Sequence, residues 1–376
     1  MPRAAHLERF APEERLLCRV ARLDREDHDG RVRRLLDGPI DWDRFWGLAQ
    51  LHEVLPLSWA FLRADADRRA RVPIDVAERA ERVYFATQIR TNQRTEEVGR
   101  VLSAMEAAGI EAMVVKGLAL VLTIYGTDGL RTFDDLDILV RRRDLDPSRA
   151  ALDALGYRTR SVPRFEEVDH RFHDLQYFRP LAGRLECLEL HWDLWDPRQF
   201  QSAIDGFWQR AQPATIAGAS RLVLSDADTL LHLAIHRTRA PLRLRFICDV
   251  AELVRARGAA LDWDALVSRA ESVGARTALH VVLDLAAQLL DADVPGEVLR
   301  ATSPGPVKRA VLERTCGASA MFRRASDDDV RQQPHLVLRV LEQDGALTIA
   351  RAGARAAVRK RSKWRYNRRL RTPAGG

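Results

Sequence analysis

The chain has 376 residues, 46% of them apolar, with 60 basic and 53 acidic side chains and a formal net charge of +7. That length suggests two to three domains, and the composition excludes disordered, collagen-like and low-complexity chains. Residues 1 to about 108 read as helices, because apolar positions recur at a spacing of three to four through Leu7, Phe10, Leu16, Leu17 and Val20, then Trp42, Phe45, Trp46, Leu48 and Leu51. Pro73 opens a long helical pattern that Gly109 closes. The pattern then turns to short β-rich runs. EAMVVKG (111–117) reads as a strand, LALVLTIYG (118–126) as a helix, LDILV (136–140) as a second strand and DLDPSRAALDALGY as a helix. Three further strands follow in YRTRSV, LQYFRP and RLECLELHWDL, with a short β pair around ATIAGASRLVLS. From about 205 onward helices return, in SDADTLLHLAIHRTRA, LRLRFICDVAELVRARG, LDWDALVSRAESVGA and TALHVVLDLAAQLL.

The positive charge is local. Ten basic residues and no acidic one lie between Arg351 and Arg371, so the rest of the chain is close to neutral. In this tail, RKRSKWRYNRRLR interleaves arginines with Trp364 and Tyr366, a pattern that suits nucleic-acid backbone and base stacking or simply a solvated terminus. No stretch approaches the roughly 18 consecutive apolar residues of a membrane span, and the N-terminus carries charges where a signal peptide needs its apolar run. The expectation is a cytoplasmic protein without membrane contact. Cys18, Cys187, Cys248 and Cys316 form no CxxC pair, so neither a disulfide framework nor a thiolate zinc site is expected.

The strongest chemical signal is RTFDDLDILV at 131–140. On a strand Asp135 and Asp137 point to the same side, while Leu136, Ile138 and Val140 point to the other and find a core. Two crowded carboxylates repel, and a Mg²⁺-type ion relieves them. Glu189, in CLELHW, repeats the pattern between Leu188 and Leu190. If its strand lies beside the first, three acids line one pocket and can hold two ions roughly 4 Å apart, one orienting a nucleoside triphosphate and one acidifying an acceptor hydroxyl. Lys116, one of four lysines in the chain and the only one before position 308, ends a strand with Gly117 at a helix start, where backbone N–H groups and the ammonium favour a phosphate.

In this order, a KG pair at a strand end, a Tyr, an Arg, then D-x-D-x-L-V, then an acid in h-[DE]-h followed by His-Trp, the sequence resembles the uncharacterised nucleotidyltransferase family of the polymerase-β-like superfamily. The resemblance spans about 110 to 290. It implies an α+β fold: a mixed-sheet nucleotidyltransferase core (109–222) between N-terminal (1–108) and C-terminal (223–345) helical regions, with a basic tail (346–376). It implies metal-binding and catalytic roles for Asp135, Asp137 and Glu189, and phosphate contacts from Lys116, Gly117 and Arg131. The implied reaction moves a nucleoside monophosphate from an NTP to an acceptor hydroxyl, with Mg²⁺ or Mn²⁺ and release of pyrophosphate. Leu118 follows Gly117 where the superfamily usually carries Ser or Gly, and the stretch from Gly117 to Asp135 is longer than usual.

Two other readings stand beside this one. A glycosyltransferase also uses D-x-D with a divalent ion on a sugar nucleotide, and would not need Glu189. A catalytically degenerate core with the basic tail would make an RNA-binding or regulatory protein. His191 shares the face of Glu189 and reads either as a substrate contact or as a structural histidine. His232 and His236, at i and i+4 on an otherwise apolar helix, read as packing, as does Tyr125, while His170 and His173 lie in a polar loop. Trp192 and Trp195 are expected to plug the junction between sheet and C-terminal helices.

Overall fold

The computed structural model describes residues 7–126, 129–159, 173–196, 199–201, 203–238, 242–323 and 344. One mixed sheet of seven strands organises it: β1 Ala112–Val114, β2 Asp135–Val140, β3 Arg158–Thr159, β4 Asp174–Leu181, β5 Arg184–His191, β6 Gln212–Ile216 and β7 Ala219–Val223, in the order β3-β4-β5-β2-β1-β7-β6. β2 pairs parallel with β5 and antiparallel with β1, which in turn pairs parallel with β7. β4 and β5 are joined through Ala182 and Gly183, and β6 and β7 through Ala217 and Gly218. All four joining residues have positive φ, the conformation that lets a two-residue turn follow the twist of its strands. The α+β class and the mixed sheet between helical regions are as the sequence predicts.

The two faces of the sheet differ, and the difference places the site. Leu136, Ile138, Val140, Leu188 and Leu190 are fully buried on one face against Val98, Val101, Leu102 and Met105 of the helix Ile74–Ala107, together with Leu145 and Leu152 of the helix Leu145–Ala154. On the other face, Met113 and Leu139 join the helical core, and the polar residues of β2 and β5 lie alongside. Helices from both ends of the chain share that core. Leu16, Leu17 and Phe61 pack in the same cluster as Ile247, Val250, Leu279 and Val282.

The helix Ile74–Ala107 runs from the helical core to the core beneath the sheet. Its 34 residues span about 51 Å. Near its start Val76, Ala77 and Ala80 pack into the helical core, and toward its end Val98 to Met105 lie beneath the sheet. Gly109, at φ +72, closes it, with its N–H donating to the Glu106 carbonyl. Buried Arg94 on this helix donates to the carbonyls of Phe133 and Asp134, the latter at 2.8 Å, and pairs with Glu186 at 2.8 Å. A helix from the first quarter of the chain thus fixes the loop that leads into the aspartates.

Several elements differ in extent from the sequence expectation. β1 stops at Val114, because Lys116 takes φ +56 and turns the chain out of the strand into the helix Lys116–Leu120, which continues as a π turn over Val121–Tyr125. β5 ends at His191, and beyond it the Trp192 and Trp195 rings are buried, Trp195 edge-on to Phe207 at 5.2 Å. Tyr125 is 4% exposed and packs in the helical core. Leu118 is fully buried in the sheet core, so its side chain serves packing. The basic tail and His170 lie outside the described residues. Among the described residues, all four cysteines are free, and no helix is long and apolar enough to cross a membrane.

Candidate active site

The parallel register of β2 and β5 sets Asp135 beside Cys187, Asp137 beside Glu189 and Leu139 beside His191. Because alternate residues share a face, Asp135, Asp137, Glu189 and His191 fall on one side of two adjacent strands. Asp137, Glu189 and His191 each bring a ligand-capable atom within 4.8 Å of the others. On β4, Gln176 sits opposite Glu189 and donates from Nε2 to its Oε1 at 2.8 Å, which fixes the carboxylate's orientation.

Lys116 reaches into this cluster. Its Nζ donates to Asp137 Oδ1 at 2.6 Å and to Glu189 Oε2 at 3.0 Å, and lies 3.2 Å from His191 Nε2. Burial alone would lower the ammonium's pKa, but Asp137, then Glu189 and Asp135, more than reverse this and hold it above the ordinary lysine range. Burial would likewise raise Glu189, yet the hydrogen bond from His191 and the charge of Lys116 hold it far below the usual carboxylate range. For His191, burial and Lys116 oppose protonation, and hydrogen bonds to Asp137 and Glu189 outweigh them, so its pKa is raised. Asp137 is 1% exposed, and its Oδ2 has no partner among the described residues. Lys116 therefore acts as an internal counter-ion, held in a left-handed backbone conformation that costs a non-glycine residue about 1 kcal/mol or more.

Asp135 is the strained member. Burial first, and then the neighbouring Asp137, push its pKa up to about 7, against the relief that Lys116 gives. A carboxyl raised above its unfolded value of about 3.9 stabilises the fold fully below that value, and loses the contribution as pH rises toward 7. With the ion-free protein, Asp135→Asn is expected to remove a decline of about 1 kcal/mol per pH unit between roughly pH 4 and 7. Urea unfolding at stepped pH in a chelator measures it, and parallel curves for the two proteins would refute it.

Beside the acids opens a cleft of about 590 Å³ whose walls include Lys116, Gly117, Arg131, Asp135, Asp137, Thr229, His232, His236 and Phe246. Gly117 is required by close packing, since a Cβ there would meet Arg131 Nη1 and Phe133 Cβ at 2.9 Å each. Arg131 lines the cleft and is clamped by Asp249, with Nε to Oδ1 and Nη2 to Oδ2 both at 2.7 Å. Arg245 donates to the Thr132 carbonyl at 3.1 Å and pairs with Glu53 at 2.9 Å, holding the same loop from the C-terminal helices. His232 is 3% exposed and packed, yet it also lines the cleft, 5.9 Å from His236 between ring centres.

Sequence reasoning missed Gln176, Arg94, Asp249 and the cleft position of His232. Gln176 carried a signal only as a polar residue on the strand expected for LQYFRP. The others depend on contacts distant in sequence, such as the 118 residues between Arg131 and Asp249.

Fold and site together define an α+β protein with convergent carboxylates on one sheet face, bordering a cleft. The sequence profile of the family described as uncharacterised nucleotidyltransferase matches residues 38–291, more than half of the chain. The chain belongs to that family. No curated protein matches it by sequence. Among solved structures, the antibiotic-resistance factor ANT(2'')-Ia is 15% identical with a TM-score of 0.35, over 48% of this chain and 92% of its own. An antigenic nucleotidyltransferase-like protein from Paracoccidioides brasiliensis is 14% identical with a TM-score of 0.35, over 55% of this chain and 95% of its own.

Proposed function

We propose that the protein transfers a nucleoside monophosphate from an NTP to an acceptor hydroxyl in the cleft beside Asp135 and Asp137, releasing pyrophosphate. The observation that carries this reading is the convergence of Asp137 and Glu189, with Asp135 on the same face, at a cleft large enough for a nucleotide. The residues suit a Mg²⁺ or Mn²⁺ ion: Asp137 Oδ2 is buried without a partner among the described residues, and the pKa of Asp135 is pushed up to about 7 by burial and crowding, both of which a hard cation corrects. Asp135, Asp137 and Glu189 would hold it, and when bound it supplies charge neutralisation for the phosphates and acidifies the acceptor hydroxyl.

The chain's own residues do the remaining work. His191 and Lys116 keep Glu189 ionised, and Gln176 orients it. Lys116, which lines both the acid cluster and the cleft, supplies a point charge for phosphate oxygens. Asp249 and Gly117 hold Arg131 flat against the cleft wall. In the reaction the acceptor oxygen bonds the α-phosphorus as the bond to the bridging oxygen breaks. Such a transfer asks the protein for positioning and charge, with little covalent help.

The test is incubation with α-labelled NTPs and Mg²⁺ or Mn²⁺, followed through released pyrophosphate and labelled products from co-purified small molecules, protein and RNA. Asp137→Asn is expected to abolish release while the circular dichroism spectrum stays unchanged. Full turnover by that variant would refute the site, and transfer from a UDP- or GDP-sugar with none from any NTP would replace the reaction by glycosyl transfer.

A further inference from the structure

We propose that His173, Asp174 and His191 form a second cation site, on the flank of the acid cluster and suited to a transition ion of the Zn²⁺ type. This goes beyond nucleotidyl transfer and does not depend on it. Each of the three residues brings a ligand-capable atom within 4.8 Å of the others. Asp174 at the start of β4 is the register partner of His191 at the end of β5, and His173 is tied there through its carbonyl, which accepts from Trp192 N–H at 3.0 Å. The two imidazole rings lie 6.1 Å apart, both buried, and His173 Nδ1 stands 3.7 Å from Asp174 Oδ1.

The hydrogen bonding of His191 gives the second, independent observation. Its Nε2 lies 2.9 Å from Asp137 Oδ1. A carboxylate accepts, so Nε2 donates to Asp137, and in the neutral ring the lone pair is then on Nδ1, the nitrogen from which an incoming ion displaces any second proton. That nitrogen is buried, on a residue 1% exposed, and has no partner among the described residues. A ligating histidine ordinarily donates its other ring N–H to a carboxylate, which fixes the ring and strengthens the ligand. Asp137 and His191 already have that relation. Two imidazoles and a carboxylate select ions such as Zn²⁺ over Mg²⁺, which takes oxygen ligands, and three protein ligands leave a further position open. An ion there would join β4 to β5 and hold the ring that orients Asp137.

Calorimetric titration of the metal-free full chain with Zn²⁺ tests this, with Co²⁺ as a spectroscopic probe whose visible absorption intensifies on low-coordinate binding through nitrogen. The expected result is saturable Zn²⁺ binding that His173→Gln and Asp174→Asn each weaken at least about tenfold. Glu189→Gln should leave it in place, and circular dichroism should show all three variants folded. Two results overturn the proposal. One is wild-type protein that takes up no Zn²⁺. The other is Zn²⁺ affinity that survives in both His173→Gln and Asp174→Asn, including the case where Glu189→Gln removes it and so assigns the ion to the acid cluster.

Discussion

Replacing Lys116 with alanine is expected to lower the stability of the ion-free protein by about 3–5 kcal/mol and to make that stability depend steeply on divalent cations. The ammonium lies within hydrogen-bonding distance of both Asp137 and Glu189, at 2.6 and 3.0 Å, and Asp137 is 1% exposed. Removing it leaves two buried carboxylates side by side with only His191 and Gln176 to answer them, and this under-compensated burial sets the size of the effect. The same vacancy suits a metal ion. A cation at about a hundred times its dissociation constant returns about 2.7 kcal/mol, so Mg²⁺ or Mn²⁺ should recover much of the loss. Unfolding midpoints of wild type and variant in chelator and in excess Mg²⁺ decide the matter. A variant as stable as wild type in chelator, or one indifferent to the ion, would show that Lys116 is not the counter-ion of the cluster. Turnover should still fall, because the point charge for the phosphates is lost with the side chain.

Asp249→Ala should be of similar severity, about 3–5 kcal/mol, for a related reason. Asp249 is 0% exposed and Arg131 6%, and their two-pronged pair at 2.7 Å holds a charge almost wholly withdrawn from water. Burial works against the Arg131 charge, and Asp249 reverses it, so its pKa lies above the ordinary arginine range. The paired replacement Arg131→Met with Asp249→Leu should recover most of the stability, since a packed apolar pair carries no desolvation cost. Denaturant unfolding of the single and double variants gives the comparison. A double variant as unstable as Asp249→Ala would mean that the loss comes from cavity or loop distortion. If Arg131 also faces the phosphates, as the family resemblance implies, the recovered double variant should fold normally and bind NTP poorly.

How much of this was legible in the sequence follows from the range of each interaction. Strand alternation is local, so Asp135 and Asp137 could be placed on one face opposite Leu136 and Ile138 before any contact was known. Glu189 showed the same alternation, but its place beside Asp137 rests on a parallel register between strands some fifty residues apart, which no local pattern encodes. Lys116 and Gly117 were legible as a turn at a strand end. The sign of φ at Lys116 was not, because nothing in the residue type announces a left-handed lysine, and that sign helps send the ammonium back among the acids. The sequence suggests Gly117 as part of a phosphate-binding turn, whereas its missing Cβ makes room for Arg131 and Phe133. His232 was legible as a buried helix residue, whereas its cleft position depends on how the helix Asp226–Arg237 docks against the sheet.

Mn²⁺ binding tests the account at its centre, because the ion is paramagnetic and its free signal disappears as it is taken up. Titrating metal-free wild type should remove that signal saturably, while an Asp135→Asn, Asp137→Asn double variant with an unchanged circular dichroism spectrum should leave it at full height. Equal uptake by the two proteins would mean that the paired aspartates of β2 hold no ion, and nucleotidyl transfer at this cleft would have to be abandoned.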